Sequence, residues 1–402
     1  MQQVEELSLE VSNKCLVRCI HCSSGSASTA LRNELTPEEH WRLMEEARAL
    51  GATTLSLSGG DPILLGPLAI DYIEHALDLG FSDVLFYSTG IWDIDYSVVD
   101  GKVINTDSAY FDCYHQGIRG LRSWGYTRSM RDLAPRGLTF IFSLHSHRPV
   151  VNDYIMNVAG AWHAITEGIR TAVAYGIRVN VHFVPMLPNY AHLSAVRDLC
   201  EGLGVSKMSV LRFVPQTRGY VHRSVLNLSP LEFSKLQDIM DYEATDPARK
   251  EMQCALRFGC PVDFRHAAVG TSQNLAKLGK AKACHAGQDL ILVRPDGTVH
   301  PCAAWKSLTA DSNVREHSLE WIWENSQVFN AIRQFTAVDY ENIEGRCANC
   351  VWLNTCKGGC PAQKLHAHEK SLQDIYHPTP DPLCPRMIKP TDKKLQNQGE
   401  AE

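Results

Sequence analysis

The chain has 402 residues, 44% hydrophobic and 21% charged, with a net charge of −6; this suits a main domain plus a smaller one and gives no bulk attraction to nucleic acid or an anionic membrane. An acidic start without a signal-peptide stretch, and no apolar run of bilayer length, lead us to expect a cytoplasmic protein. The 14 cysteines then exclude a disulfide framework, and their two groups, Cys15 to Cys22 and Cys284 to Cys384, suit metal ligation.

In chain order, Leu7 to Val11 reads as a short strand and runs into Cys15-x3-Cys19-x2-Cys22. Three thiolates on one tight loop suit a cubane iron–sulfur cluster, each binding one iron and leaving the fourth open. A structural zinc site is the alternative, but zinc prefers four protein ligands in paired spacings and no fourth stands nearby. Thr36-Pro37-Glu38-Glu39 is a capping box that opens a helix stopped at Gly51. Thr53 to Leu57 reads as a strand, followed by the turn Ser58-Gly59-Gly60-Asp61-Pro62, where paired glycines allow close backbone approach.

A helix is expected from Leu65 to Leu79, then strands at Asp83 to Ser88 and Leu138 to Ser143. Next come a helix from Ala161 to Tyr175, a strand from Ile177 to Val184, a helix from Leu193 to Gly202 and a sixth strand from Lys207 to Val214. Six β/α units predict an α/β fold, a partial (β/α)6 TIM-like barrel with its active groups at the carboxyl ends of the strands. Between the third and fourth strands, Trp92 to Arg136 is long for a connection; it reads equally as a substrate cover or as a helix with ordinary loops. Ser229-Pro230-Leu231-Glu232 is a second capping box, opening a helix to about Tyr242. The expected domains are a core over 1–225, a connecting helical segment over 226–270, a cysteine-rich domain over 271–390 and a disordered tail over 391–402.

The cysteine triplet together with Gly59, Gly60, Asp61 and Pro62 resembles the radical S-adenosylmethionine (SAM) enzymes. The resemblance implies a [4Fe–4S] cluster on Cys15, Cys19 and Cys22, with SAM on its free iron and the methionyl amino group at the Gly59–Pro62 turn. One-electron cleavage of SAM then gives a 5′-deoxyadenosyl radical that abstracts hydrogen from substrate. Asp61 stands where the family most often has Glu, and His21 where many members have an aromatic residue. Ser143, His182 and Val214 are similar to the family's SAM-lining positions at strand ends, although such residues are also common there for ordinary reasons.

Cys284-x12-Gly297-x4-Cys302, then Cys347-x2-Cys350-x5-Cys356-x3-Cys360 and Cys384, resembles a seven-cysteine SPASM domain carrying two auxiliary clusters. Within it, Leu290 to Val293 and Thr298 to His300 flank Pro295-Asp296-Gly297 and read as a β-hairpin. The resemblance implies one cluster on Cys284, Cys302 and Cys360 and another on Cys347, Cys350, Cys356 and Cys384. The eighth position is either an open iron or a further thiol, with Cys260 preferred and Cys254 the alternative. A zinc ribbon on Cys347 to Cys360 would leave Cys284, Cys302 and Cys384 unexplained. Cys200 reads as core. Cys113, in the insertion, is a candidate hydrogen-atom donor. Lys277, Lys280 and Lys282 read as a solvated face.

The resemblance implies a radical SAM/SPASM oxidoreductase with three [4Fe–4S] clusters and a reductant such as flavodoxin or ferredoxin. The favoured substrate is a ribosomally made peptide, undergoing crosslinking, thioether formation, epimerisation or oxidation. Because the chain begins close to its first strand, a peptide would need a separate recognition protein or would bind the barrel directly. The runner-up is oxidation of a small molecule or cofactor precursor, such as a porphyrin side chain or an aminocyclitol. A metal-stabilised binding module is the non-enzymatic alternative.

Overall fold

The computed structural model describes residues 3–94, 118–120, 131–259, 284–308, 310–337, 359–368 and 382–384. Its strands are β1 (Glu6–Ser12), β2 (Thr54–Gly59), β3 (Asp83–Ser88), β4 (Ile91–Ile94), β5 (Ile118–Gly120), β6 (Leu138–Ser143), β7 (Arg178–Phe183), β8 (Lys207–Val210), β9 (Ala255–Phe258), β10 (Leu290–Val293) and β11 (Val299–His300). Nine of them form one sheet in the order β11-β10-β1-β2-β3-β6-β7-β8-β9. Every neighbouring pair is parallel except β10 with β11. The six expected strands form the middle of this open sheet. β4 and β5 make a separate antiparallel hairpin inside the insertion, and Cys113 lies outside the described residues.

Period-2 patterning gives the sheet two different faces. Leu7, Leu9 and Val11 on β1, like Leu55 and Leu57 on β2, are almost fully buried in the main apolar core. The intervening residues are polar and meet one another on the other face. There Ser56 donates to Glu6 Oε1 at 2.6 Å, and the Tyr87 ring lies edge-on to His182 at 5.4 Å between centroids. The sheet therefore presents a polar inner wall beneath its strand ends.

Both capping boxes form. The Glu39 N–H donates to Thr36 Oγ1 at 3.3 Å and the Thr36 N–H to Glu39 Oε2 at 2.8 Å, at the head of Pro37–Ala49. Ser229 and Glu232 do the same for Pro230–Thr245. The second expected helix, Leu65 to Leu79, starts two residues later: Pro62–Leu65 is a 3-10 turn, Gly66 takes φ +61°, and the α-helix runs Pro67–Asp78. Pro67 fits the first helical turn, where its missing N–H costs nothing.

Two strands depart from expectation. The sixth ends at Val210, so Val214 does not end a strand. After Leu211 donates to the Phe183 carbonyl at 2.8 Å, the chain leaves the sheet, and Val214 packs with Trp305 and Cys360 in a second apolar cluster. β9, within the stretch expected to be helical, pairs with β8 from Lys207↔Ala255 to Val210↔Phe258. The β10–β11 hairpin forms as expected, and β10 also docks on β1 from Glu6↔Leu290 to Leu9↔Val293. Among the described residues no helix is long and apolar enough to cross a membrane.

Candidate active site

The loop after β1 is closed on itself before it presents its cysteines. Lys14 bridges Ala27, the Cys15 N–H donates to the Ala27 carbonyl at 2.7 Å and the Ala27 N–H to the Asn13 carbonyl at 3.1 Å. Within it the Cys22 N–H donates to the Cys19 carbonyl at 3.2 Å. Burial, with Asp61 and Cys19 nearby, pushes the Cys15 thiol well up. Burial and Cys22 push Cys19 up, against the pull of the Arg218 guanidinium. Cys15 and Cys19, desolvated thiols that resist ionisation in the metal-free loop, suit a group whose cations take up thiolate charge. Among the described residues no three His, Cys, Asp or Glu side chains converge on a point for one metal ion. A cubane does not require that, since each thiolate takes its own iron.

The Gly59–Pro62 turn is pressed against this loop. The Gly60 N–H donates to the Ser12 carbonyl at 2.7 Å and the Asp61 N–H to the Lys14 carbonyl at 2.8 Å. A Cβ on Gly60 would stand 1.9 Å from the Lys14 oxygen, and one on Gly59, at φ +124°, 2.4 Å from the Ser12 oxygen. Only glycine permits that approach. Asp61 points into the protein. Its carboxylate accepts from the Thr89 N–H at 2.9 Å, the Thr89 hydroxyl at 2.5 Å and the Ile63 N–H at 3.3 Å. Burial nevertheless pushes its pKa up to about 6.

Ser143 and His182 are register partners on β6 and β7. Desolvation, helped by Lys207 and Arg257, lowers the His182 pKa to about 3, so its ring is neutral. Two residues past β6, His145 is 1% exposed and meets His21 of the cysteine loop edge-on at 4.4 Å. Neither nitrogen of the His145 ring has a partner within the described chain. The pattern that singled out His21 as an aromatic substitute gave no sign of His145.

Of the downstream cysteines, Cys284, Cys302 and Cys360 come together around the cluster of Trp305, Ala286 and Val214. These three are the expected ligands of one auxiliary cluster. Cys384 is half-buried, whereas Cys260, Cys347, Cys350 and Cys356 lie outside the described residues. Cys254, the alternative eighth ligand, is instead fully buried in the main core and hydrogen-bonded to Cys200.

Sequence patterns missed the residues that join the two cysteine groups. Thr217 Oγ1 donates to the Cys22 and Ser23 carbonyls at 2.7 and 3.0 Å. Arg218 donates to the Cys19 and Ser26 carbonyls at 2.9 and 2.8 Å. Glu10 is buried on the inner face of β1, accepts from Ser24 Oγ at 2.7 Å and pairs with Lys306 and Arg294. Burial pushes the Glu10 carboxyl up, but Lys306 and Arg294 outweigh it and hold the pKa below the ordinary value. One signal was available: a carboxylate in the middle of the apolar run Leu7 to Val11 needs a buried cation.

Comparison with known proteins accords with this geometry. A family model described as the radical SAM superfamily matches residues 9–200, and the SPASM model, an iron–sulfur cluster-binding domain, matches residues 284–351. The AdoMet-dependent heme synthase of Methanosarcina barkeri is 24% identical over 382 residues, covering 92% of this chain and 95% of that protein. The enzyme of the same name from Oleidesulfovibrio alaskensis is 23% identical over 396 residues, covering 96% and 89%. In fold, the chain is similar to Streptococcus suis SuiB bound to SAM, with TM-score 0.64, 17% identity and coverage of 95% and 77%. SuiB bound to its precursor peptide SuiA gives 0.64, 16%, 92% and 74%. The anSMEcpe enzyme with AdoMet and the Cp18Cys peptide gives 0.62, 13%, 95% and 94%.

Proposed function

Because the chain belongs to the radical SAM superfamily and carries a SPASM domain, we propose that it cleaves SAM reductively at Cys15, Cys19 and Cys22 and oxidises a porphyrin side chain in heme formation. When bound, the cluster and SAM supply a one-electron cleavage whose product radical abstracts hydrogen from substrate. The chain's own residues fix where this happens. The observation that carries the chemistry is the packing of the Gly59–Gly60 turn, at the end of β2, against the loop after β1 that bears Cys15, Cys19 and Cys22. Thr217 and Arg218 hold the carbonyls of that loop, Ser143 and His182 line the wall beneath it, and neutral His182 adds no cation. Cys284, Cys302 and Cys360, with the remaining cysteines of the module, hold two auxiliary clusters, and a flavodoxin or ferredoxin is the electron source.

The porphyrin assignment rests on likeness along nearly the full length of two heme synthases. It reverses our sequence-based preference for a peptide. Peptide modification remains the second reading, favoured by the peptides bound to SuiB and anSMEcpe, although at 13–17% identity those likenesses extend to the fold alone.

Anaerobically reconstituted protein is expected to hold about twelve irons, four per cubane. Given SAM and a reductant, it should convert a heme precursor bearing propionate side chains, with 5′-deoxyadenosine formed in step with the porphyrin mass change. Formation of 5′-deoxyadenosine with an unaltered porphyrin would overturn the porphyrin reading and leave the chemistry standing.

A further inference from the structure

The turn from Cys302 to Ser307 is tied to the Cys19–Ser26 loop along two separate routes. Along the first, Lys306 Nζ donates to Ser24 Oγ at 2.7 Å, Arg294 donates to the Ser24 carbonyl at 3.1 Å, and both cations face Glu10. Arg294 also donates to the Lys306 carbonyl at 3.2 Å, so the three charges form one unit. The side chains of Glu10 and Lys306 are 1% and 7% exposed.

The second route runs through Gln216, Thr217 and Arg218. Gln216 donates to the Ala303 carbonyl at 2.8 Å and accepts from the Ser307 N–H at 3.3 Å. Its two neighbours hold the carbonyls of Cys19, Cys22, Ser23 and Ser26. Thr217 takes φ +43°, a conformation that costs energy in a β-branched residue and that these contacts hold in place. Segments as much as 282 residues apart in sequence are thus joined by a charge cluster and a hydrogen-bonded strap. Buried charges of this kind are favourable only when every partner is in place, so the junction forms as a whole.

We propose that Lys306 and Gln216 are positioning residues for the SAM-binding loop, through which filling of the auxiliary site at Cys302 tightens SAM binding. By linkage, SAM then tightens the hold on auxiliary metal by the same factor. The proposal rests on the reading of Cys302 as an auxiliary-cluster ligand, and the metal-free measurement below does not depend on that reading.

In metal-free protein, Gln216→Leu should speed amide hydrogen exchange across Cys19–Ser26 by about five- to thirtyfold, the effect of one or two lost hydrogen bonds, with β6 and β7 unchanged. Lys306→Met should do the same and Lys306→Arg should restore protection. In reconstituted protein, Cys302→Ala should lose auxiliary iron, raise the Kd for SAM by a similar factor and alter the EPR signal of the reduced, SAM-bound cluster. Unchanged exchange in both Gln216→Leu and Lys306→Met would overturn the positioning role. Unchanged SAM affinity despite lost auxiliary iron would overturn the coupling, and full retention of iron in Cys302→Ala would overturn the ligand reading beneath it.

Discussion

The Asp61 carboxyl receives hydrogen bonds from Thr89 and Ile63, yet burial outweighs them and lifts its pKa from 3.8 to about 6. Between those values the native protein holds a proton that the unfolded chain has released. Stability from this group is therefore full below about 4, falls as pH rises towards about 6 and is level above it. The shift corresponds to about 3 kcal/mol. Urea denaturation of metal-free Asp61→Asn at pH 4.5, 5.5 and 7 should show that part of the slope removed; an unchanged slope would contradict the assignment. One residue earlier, Gly60→Ala drives a Cβ into the Lys14 oxygen and should destabilise the protein by about 1–3 kcal/mol or more. Gly202→Ala meets nothing within 4 Å and should be neutral or slightly stabilising, so a similar cost in both variants would refute the steric account. The triplet and this turn were legible in the sequence because each is local, set by spacing within a few residues. Arg218 was not, because its partner at Cys19 lies 199 residues away and one arginine on a short helix carries no pattern.

At the scale of elements, patterning worked where local chemistry sets the boundary. Capping boxes started the helices Pro37–Ala49 and Pro230–Thr245, and Pro295-Asp296-Gly297 made the hairpin, with Gly297 at φ +84° and Asp296 Oδ1 accepting from the Thr298 N–H at 3.1 Å. It failed where apolar residues are buried for another reason. Phe213 and Val214 extend the β8 run, but they pack against the cysteine loop and the auxiliary module respectively. The four-residue β9 has too little alternation to register, and its position comes from side chains outside it. Arg197 donates to the Cys254 carbonyl at 3.1 Å and to buried Glu243 at 2.7 Å, while Glu201 accepts from the Cys254 N–H at 2.6 Å. Removing one partner of such a pair leaves a charge buried. Glu243→Gln should cost about 3–5 kcal/mol and accelerate hydrogen exchange in Ala255–Phe258 before the central strands; uniform acceleration across the sheet would show that β9 is not separately anchored.

At the scale of the whole molecule, the β10–β11 hairpin is a continuation of the core sheet. Docking of β10 on β1, residues some 284 positions apart, puts the Cys302 turn beside the Cys15–Cys22 loop. Both cysteine groups stand out in the sequence as candidate metal sites; their adjacency does not, since it depends on strand pairing and on buried charges that only the folded chain brings together. The central claim is that SAM is cleaved at the first cysteine group. Its most direct test is 5′-deoxyadenosine production under anaerobic reducing conditions by the reconstituted wild type and by a variant with Cys15, Cys19 and Cys22 all replaced by Ala. The variant should lose about four of about twelve irons, keep its fold and produce no 5′-deoxyadenosine. Persistent SAM cleavage by that variant, or a wild type that binds zinc in place of iron and never cleaves SAM, would contradict the account.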